Sequence, residues 1–252
     1  MSRYALYFSP TGGTKKVVDI LGEKLAFQKE IDLSDRLADY RENVFTREDL
    51  CVVAVPSYGG RIPAVTAKRL GQMKGNGAKA VAVAVFGNRA IDDTLLELKD
   101  VLNAAGFVCV AAIEAVAEHS IMRQYGAHRP DEDDRRDLLA FAEQIEQSAA
   151  SDIAREVEVP GNTPYKKYGG VPMKPSASKE CNACGICAEK CPVGAIDSQT
   201  PRKTDDARCI SCMRCISVCP QGARKLNPVM LKAASAGLKA ACSGRKENKL
   251  YL

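Results

Sequence analysis

The sequence predicts an α/β protein in two parts. A doubly wound, five-stranded parallel sheet is expected over residues 1–150, followed by a small α+β domain built around cysteines. Two observations carry this prediction. The first 150 residues alternate short apolar runs with segments of helical spacing, which is the order of βα units. The later part contains the pattern C-x-x-C-x-x-C-x-x-x-C-P twice, at residues 181–192 and 209–220.

The strands of the first part are predicted from apolar runs. The runs at residues 50–55 and 80–86 are apolar on both faces, which is typical of parallel strands covered by helices on both sides. The candidate strands are residues 4–8, 29–33, 50–55, 80–86 and 107–113. The candidate helices are residues 14–27, residues 92–105 and a segment that opens at Pro130, where a proline and four acidic residues suit a first helical turn.

A change of composition near residue 151 predicts a domain boundary. Residues 151–178 are rich in proline and glycine and are predicted to form a linker or a wrapping strap. Residues 179–227 hold the cysteine repeats. Residues 228–252 are predicted to form a last helix, from Pro228 through Cys242, and an apolar tail that we expect to pack against the protein.

The cysteine repeats are the most specific chemical signal in the chain. Three cysteines at i, i+3 and i+6, followed by Cys-Pro, are the ligand pattern of a 4Fe–4S cluster whose fourth ligand comes from the other repeat. Two [4Fe–4S] clusters are therefore predicted, with the ligand sets Cys181, Cys184, Cys187, Cys219 and Cys209, Cys212, Cys215, Cys191. Structural zinc is the alternative, but it commonly uses two C-x-x-C pairs, which this spacing does not match. Cys51 and Cys109 are predicted to be small buried residues, and Cys242 is unassigned, with a packed helix residue as the default.

The loop after the first strand predicts a phosphate site. It combines hydroxyls with glycines and leads at once into a helix, so that backbone amides and the helix dipole face an anion. It lacks the G-x-G-x-x-G and G-K-[ST] patterns, which favours a mononucleotide such as FMN. The predicted phosphate-binding residues are Ser9, Thr11, Gly12, Gly13 and Thr14. The alternative is an ordinary capped turn between a strand and a helix.

Two further loops follow the third and fourth strands, PSYGGRIP at residues 56–63 and FGNRAIDD at residues 86–93. With the SPTG phosphate loop they resemble the flavodoxin family. With the AEHS segment at residues 117–120 and the cysteine repeats, the whole chain resembles bacterial flavodoxin–ferredoxin fusion proteins. The resemblance implies a flavodoxin-like FMN domain followed by a bacterial-type two-cluster ferredoxin domain.

The resemblance also implies roles for the residues of these loops. Tyr58 would stack near the isoalloxazine ring, and the backbone of Gly59 and Gly60 would approach flavin N5. Residues 87–89 would line the pyrimidine edge. The implied flavin-binding residues of the two loops are Ser57, Tyr58, Gly59, Gly60, Gly87, Asn88 and Arg89. Two alternatives stay open: Tyr58 as a half-exposed loop residue, and Arg89 as the ion-pair partner of a neighbouring aspartate.

Composition excludes several classes of protein. No apolar run approaches the roughly 20 residues of a membrane span, and no secretory signal is recognised, so we expect a cytoplasmic protein without a membrane span. Residues 151–252 carry 17 Lys and Arg against 9 Asp and Glu. Two loaded clusters would remove about four of these positive charges, so we predict no nucleic-acid partner.

We therefore expect an electron-transfer protein that passes electrons between FMN and two clusters and on to redox partner proteins. The sequence identifies neither these partners nor the oligomeric state. No acid–base or nucleophile constellation emerges, and His119 and His128 are assigned no role. Two alternatives stay open: an FMN-dependent reductase of a small substrate fed by the clusters, with residues 118–129 at its pocket, and a redox-sensing module.

Overall fold

The structure is a computed structural model that describes residues 2–149 and 156–252. The predicted boundary between residues 150 and 151, and the first five residues of the predicted linker, lie outside the described residues. Among the described residues, no helix has both the length and the apolar character needed to cross a bilayer.

Five parallel strands form the sheet of the first part. They are β1 (Arg3–Tyr7), β2 (Lys29–Asp32), β3 (Leu50–Pro56), β4 (Lys79–Phe86) and β5 (Val108–Val116). Their order in the sheet is β2-β1-β3-β4-β5. This is the strand order of a flavodoxin-like doubly wound fold, so the predicted fold class is confirmed.

Helices cover both faces of this sheet. They are α1 (Gly13–Leu25), α2 (Ala64–Leu70), α3 (Thr94–Ala104) and α4 (Glu132–Ala149), and a short 3₁₀ helix spans Tyr40–Glu42. Helices α1 and α4 share one buried cluster with one face of the sheet, whereas α2 and α3 share the other. Cys51 and Cys109 are fully buried in the second of these clusters. The two-sided burial explains why β3 and β4 are apolar at every position except Lys79, the first residue of β4.

The cysteine-rich part consists of short elements. They are β6 (Ser176–Ala177), α5 (Ile186–Glu189), α6 (Arg214–Ser217) and β7 (Arg224–Lys225). Strands β6 and β7 pair antiparallel, and α5 and α6 follow equivalent cysteines in the two repeats. Helix α7 (Pro228–Cys242) comes next, with Asn227 as its N-cap: the side-chain oxygen of Asn227 accepts hydrogen bonds from the amides of Val229 and Met230.

The tail adds a sixth strand to the sheet. Strand β8 (Lys249–Tyr251) pairs antiparallel with β5, so that Ile113 lies opposite Leu250. The sequence predicts that the tail packs, but not that it extends the sheet. The same contact explains why β5 runs three residues past its predicted end at residue 113: the carboxylate of Glu114, which interrupts the apolar run, accepts a hydrogen bond from the Tyr251 hydroxyl.

Candidate functional site

A crevice opens at the carboxyl ends of β1 and β3, where the strand order reverses. The chain leaves β1 towards β2 on one side and leaves β3 towards β4 on the other, so the loops after β1 and β3 diverge. Open α/β sheets bind their ligands at such a switch point. The crevice is lined by Ser9, Thr11, Gly13, Thr14, Ser57, Tyr58 and Gly87, together with residues 117–120.

The loop after β1 has the features of an anion site. Gly12 precedes α1 with a φ of 92°, a left-handed conformation that glycine adopts without strain. The buried Ser9 hydroxyl accepts a hydrogen bond from the Lys15 amide at 2.8 Å, which holds the loop against the helix. The amides of Gly13 and Thr14 stand in the first turn of α1, where helical geometry provides no acceptor. These amides and the dipole of α1 can hold a phosphate group.

The loop after β3 is a tight turn that requires glycine. The Tyr58 amide donates to the Arg61 carbonyl at 2.9 Å, and the Arg61 amide donates back at 3.2 Å. Gly59 and Gly60, between them, have φ values of 62° and 91°. A β-carbon at Gly59 would lie 2.3 Å from the Tyr168 ring, and one at Gly60 would lie 2.2 Å from a carboxylate oxygen of Asp92. The Tyr168 ring and the Asp92 carboxylate therefore pack directly against this turn, where a larger residue would not fit.

The three residues predicted in the loop after β4 do not share one environment. Gly87 and Arg89 line the cavity beside Tyr58, and the Arg89 guanidinium forms an ion pair with Asp92. The side chain of Asn88 is buried and does not line the cavity. Its Nδ2 donates to the carbonyls of Cys242 and Gly244, at 2.7 and 2.8 Å. The Asn88 side chain therefore anchors the C-terminal segment, which differs from the implied contact with a flavin.

A larger cavity of about 810 Å³ continues from the crevice. The cavity and the crevice share Ser57, Tyr58, Phe86, Gly87, His119 and Ser120. One wall of the larger cavity is the chain at residues 166–173, which we call the strap. The opposite wall is one face of α7. The cavity thus lies between the first part of the chain and the segments that follow it.

Two residues of the first part hold the strap. The carboxylate of Asp93 accepts hydrogen bonds from the amides of Lys166, at 2.6 Å, and Asn162, at 2.8 Å. The Arg61 guanidinium donates to the Lys166 carbonyl at 2.8 Å and forms a two-bond ion pair with Glu97, at 2.7 Å for each bond. Both anchors lie beside the turn after β3, so the strap is tied to the rim of the crevice.

The two cysteine repeats have the same backbone conformation. Positive φ values occur at three equivalent pairs of positions: Ala183 and Ser211, Gly185 and Met213, and Gly194 and Gly222. The last cysteines of the repeats also have equivalent surroundings, because the amide of Ala195 donates to Cys191 Sγ and that of Ala223 donates to Cys219 Sγ, both at 3.3 Å. Amides aimed at sulfur stabilise a thiolate, the form that binds iron.

The four cysteines of the first predicted set line one small cavity. They are Cys181, Cys184, Cys187 and Cys219, three from one repeat and one from the other. Cys184 is exposed, so this outer site lies at the surface. Within the described residues, no three His, Cys, Asp or Glu side chains form a group that would hold a single metal ion. Four thiols around a shared space are a fit for a cluster core.

The second predicted set forms an inner site. Burial raises the pKa of the Cys212 thiol to about 12, and the neighbouring thiols of Cys191, Cys215 and Cys209 also raise it. The four thiols are therefore close together, and Cys212 and Cys215 are buried. Deprotonation of such buried thiols requires a bound cation, and metal ligation supplies one.

A buried arginine lies between the sites. Arg224 is 2% exposed and lines the cavity of the outer cysteines. Its guanidinium donates to Thr204 Oγ1 at 2.7 Å and to the carbonyls of Pro175 and Pro201. No described residue accepts a hydrogen bond from its Nε. The positive charge also acts on Cys215 and Cys219, one thiol from each set.

The inner site lies against the crevice. Burial raises the pKa of Tyr58 well above its ordinary value, and the nearby Cys212 thiol also raises it. Ile210 and Ser211, between the first two cysteines of the inner set, line the 810 Å³ cavity. Cys212 of the inner set therefore lies near Tyr58, at the edge of the cavity.

Hydrogen bonds between the two parts fix this arrangement. Arg214 Nη1 donates to the carbonyl of Pro10, in the phosphate loop, at 3.1 Å, and the Ser217 hydroxyl donates to the same carbonyl at 3.3 Å. Arg69 Nη2 donates to the carbonyl of Pro192 at 2.7 Å. The helix of the second repeat is thus held against the phosphate loop, which brings the inner cysteines and the crevice together.

Sequence reasoning missed three residues of this region, which are Tyr168, Arg214 and Arg224. Tyr168 lines the cavity, yet it is distant in sequence from the glycine-rich loops that drew attention. His119 also lines the cavity; the sequence analysis names it but assigns it no role. Arg224 carried a usable signal, since it takes the position that the apolar Ile196 holds directly after the first C-P-x-G-A segment.

A family model described as a 4Fe-4S dicluster domain matches residues 165–224. Among curated proteins, none matches the chain significantly. Among solved structures, the Streptococcus pneumonia TIGR4 flavodoxin is 19% identical and covers 58% of this chain and 99% of its own, with a TM-score of 0.40. A flavodoxin from the domain Archaea is 14% identical and covers 60% and 100%, with a TM-score of 0.44. Flavodoxin 2 from Bacillus cereus is 14% identical and covers 58% and 99%, with a TM-score of 0.43.

The strand order and the matched cluster domain account for the two parts of the chain. They support a role in redox electron transfer. The chain therefore combines a flavodoxin-like fold with a segment, residues 165–224, that matches a 4Fe-4S dicluster domain.

Proposed function

We propose that this protein transfers electrons between an FMN in the crevice and two [4Fe–4S] clusters, and that a redox partner protein exchanges electrons at the outer cluster. FMN exchanges one or two electrons, whereas each cluster exchanges one, so the protein would link two-electron and one-electron chemistry. The outer set is Cys181, Cys184, Cys187 and Cys219, and the inner set is Cys191, Cys209, Cys212 and Cys215. Residues 1–150 and 179–227 would be the two domains.

One observation carries the proposal: Cys212 of the inner set lies near Tyr58 at the rim of the crevice, while Cys184 of the outer set is exposed. An electron entering at the surface would pass through the outer and then the inner cluster before it reached the flavin. In this proposal the protein's own residues bind and orient the cofactors. Amides and hydroxyls of residues 9–14 would hold the phosphate, and the turn at residues 58–61 would lie near the ring.

The surroundings of the cysteines support electron exchange with a partner protein at the outer cluster. All eleven cysteines are free thiols, which suits a reducing cytoplasm, where we expect the protein to act. The exposed position of Cys184 gives a partner protein a short distance to the outer cluster. The strap and α7 form walls of the cavity that continues from the crevice, so a protein partner would meet the outer cluster more readily than the flavin.

The test is a cofactor count on anaerobically purified protein. We expect about eight irons and one FMN per chain, and an EPR spectrum of two interacting clusters after reduction. Cys184→Ser should lose iron but keep its FMN, whereas Cys242→Ser, outside both sets, should keep both. Zinc with little iron, or full iron content in Cys184→Ser, would contradict the assignment.

A second measurement tests the direction of flow. A reduced one-electron donor is mixed with the oxidised holoprotein, and flavin absorbance is followed by stopped flow. We expect Cys184→Ser and Cys212→Ser to slow flavin reduction strongly, with Cys242→Ser as the matched control. Equal rates in all three variants would show that the flavin receives its electrons without the clusters.

A further inference from the structure

The surface above the outer cysteines is exposed and uncharged. The exposed residues that line the cavity of these cysteines are Asn182, Ala183, Cys184, Pro220 and Gln221. None of them carries a charge, and none has a side chain longer than that of glutamine. The surface of another protein can therefore come close to Cys184, which shortens the path of an electron. Protein interfaces have this composition at their centres, where charged residues are depleted.

Four exposed basic residues lie around this uncharged area, and we call them the basic rim. They are Lys179, Arg202, Lys203 and Lys225. Each of them lies within two residues of a residue that lines the cavity of the outer cysteines. Arg202 is also tied to the site directly, because its Nη2 donates to the Cys181 carbonyl at 2.6 Å. The basic rim is therefore formed by three chain segments that meet at the outer site.

Two acidic residues share this surface, and each has a partner. The Ser178 hydroxyl donates to the Glu180 carboxylate and, together with the charge of Lys225, lowers the pKa of Glu180. Glu189 forms an ion pair with Lys190 at 2.7 Å. In the described part of the chain, no carboxylate forms an ion pair with a residue of the basic rim. The rim therefore presents its positive charge to the solvent.

The net charge around the outer site stays positive when a cluster is counted. Residues 176–190, 200–203 and 219–225, which form the cavity and its surroundings, carry six Lys and Arg against two Asp and Glu. A [4Fe–4S] core held by four thiolates carries about −2 when oxidised and about −3 when reduced. Residues 1–150, by contrast, carry 19 Lys and Arg against 22 Asp and Glu. An acidic molecule is therefore attracted to the outer site rather than to the flavodoxin-like part.

We propose that the uncharged area and the basic rim bind an acidic one-electron carrier protein. The inference rests on the proposed function, because it names the kind of partner that meets the outer cluster. Carboxylates around the cofactor of such a carrier complement the rim, and complementary charges speed association and fix the orientation of the two proteins. In the transfer, the reduced carrier loses one electron and the outer cluster gains it. No bond forms or breaks, and no proton moves.

The test measures binding, so that its result does not depend on electron transfer. Oxidised holoprotein of known iron and FMN content is titrated anaerobically, in a calorimeter, with a purified acidic two-cluster ferredoxin in its oxidised form. We expect one saturable site whose affinity falls at least about tenfold between about 0.02 and about 0.2 M ionic strength, because salt screens exposed charges. The same ferredoxin with amidated surface carboxylates should bind weakly at both ionic strengths, and binding as tight as that of the untreated ferredoxin would overturn the inference.

Charge-reversal variants locate the site. Lys203→Glu with Lys225→Glu reverses two charges of the basic rim and should weaken binding about tenfold or more at low salt. Lys29→Glu with Lys239→Glu is the matched control. It changes the charge by the same amount, at two exposed lysines outside the three segments of the outer site, and should leave the affinity within about twofold.

Two failures can be told apart on the same sample. Holoprotein with iron and FMN overturns this inference alone if it does not bind the ferredoxin, or if the rim variant and the control variant bind it equally well. A short double-stranded DNA that binds more tightly than the ferredoxin would assign the basic rim to a nucleic acid and would also overturn it. Protein without the expected iron overturns the proposed function, and the present inference with it.

Discussion

Replacing Arg224 with methionine should lower the reduction potential of the outer cluster. Reduction adds one negative charge to a cluster, and the buried guanidinium stabilises that charge. Methionine has a similar length and no charge. Because Arg224 is 2% exposed, water screens the interaction little.

The size of the shift follows from Coulomb's law. The guanidinium lines the cavity of the outer cysteines, so we take about 8 Å between the charge and the cluster centre. With an effective dielectric constant of about 20, the interaction is about 2 kcal/mol. About 1.4 kcal/mol corresponds to a factor of ten, and a factor of ten to about 59 mV for a one-electron couple. The expected shift is therefore about 90 mV towards lower potential.

Anaerobic potentiometric titration followed by EPR measures this shift. Arg224→Lys keeps the charge and should stay close to the original potential, which also controls for the lost hydrogen bonds to Thr204 and Pro201. Lys225→Met removes an exposed neighbouring charge and should have a much smaller effect, because solvent and salt screen it. An unchanged potential in an Arg224→Met protein of full iron content would refute the reasoning, as would equal shifts in the methionine and lysine variants.

Three further predictions concern the flavin and the contact between domains. Thr11→Val with Thr14→Val should weaken FMN binding by roughly one to two orders of magnitude, since each hydroxyl bonded to a charged group contributes about 1.5 kcal/mol or more; unchanged retention on dialysis would count against the phosphate loop. Arg214→Ala removes a hydrogen bond to Pro10 and should slow flavin reduction by the clusters while iron and FMN contents stay constant, which stopped flow would show; an unaltered rate would exclude a role for this contact. The third concerns pH. Below about pH 6.5 the unfolded chain protonates His119 while the folded protein, whose His119 pKa is lowered, does not, so stability should fall from pH 7 towards pH 5. His119→Gln should flatten this dependence in thermal unfolding followed by flavin release, and an equal slope in both proteins would contradict it.

Much of the fold could be predicted because its signals are local. Residues 80–86 are apolar without interruption, and β4 covers them. Pro228 and Cys242 were the predicted bounds of the last helix, and α7 begins and ends there. A strand in a covered parallel sheet, or a helix with a proline in its first turn, carries its evidence within its own few residues.

The contacts that could not be predicted are those between distant segments. Asn88 lies in a loop that resembles a flavin-binding loop, yet its amide binds carbonyls more than 150 residues later in the chain. Nothing next to Asn88 in the sequence indicates this. The same holds for Tyr168 against Gly59, because the packing of a ring on a glycine depends on where the strap is tied.

The candidate site also combines features that follow from local sequence patterns with features that depend on contacts between distant segments. The spacing of the cysteines gave the predicted ligand sets, since each C-x-x-C-x-x-C is a local pattern, and that set assignment stays a prediction. The proximity of Cys212 to Tyr58 depends on how two domains dock, which a few hydrogen bonds from Arg214, Ser217 and Arg69 determine. No pattern within a single segment encodes such a docking.

The pairing of β8 with β5 has a consequence for the order in which the protein is made. The first domain can form its five parallel strands while the ribosome is still translating the cysteine repeats, but the outer side of β5 has no partner until residues 249–251 emerge. During that interval the nascent chain presents an unpaired edge, of the kind that recruits other strands. The sheet is therefore complete only after the tail that follows the second domain has been synthesised, so the two parts of the chain finish folding together.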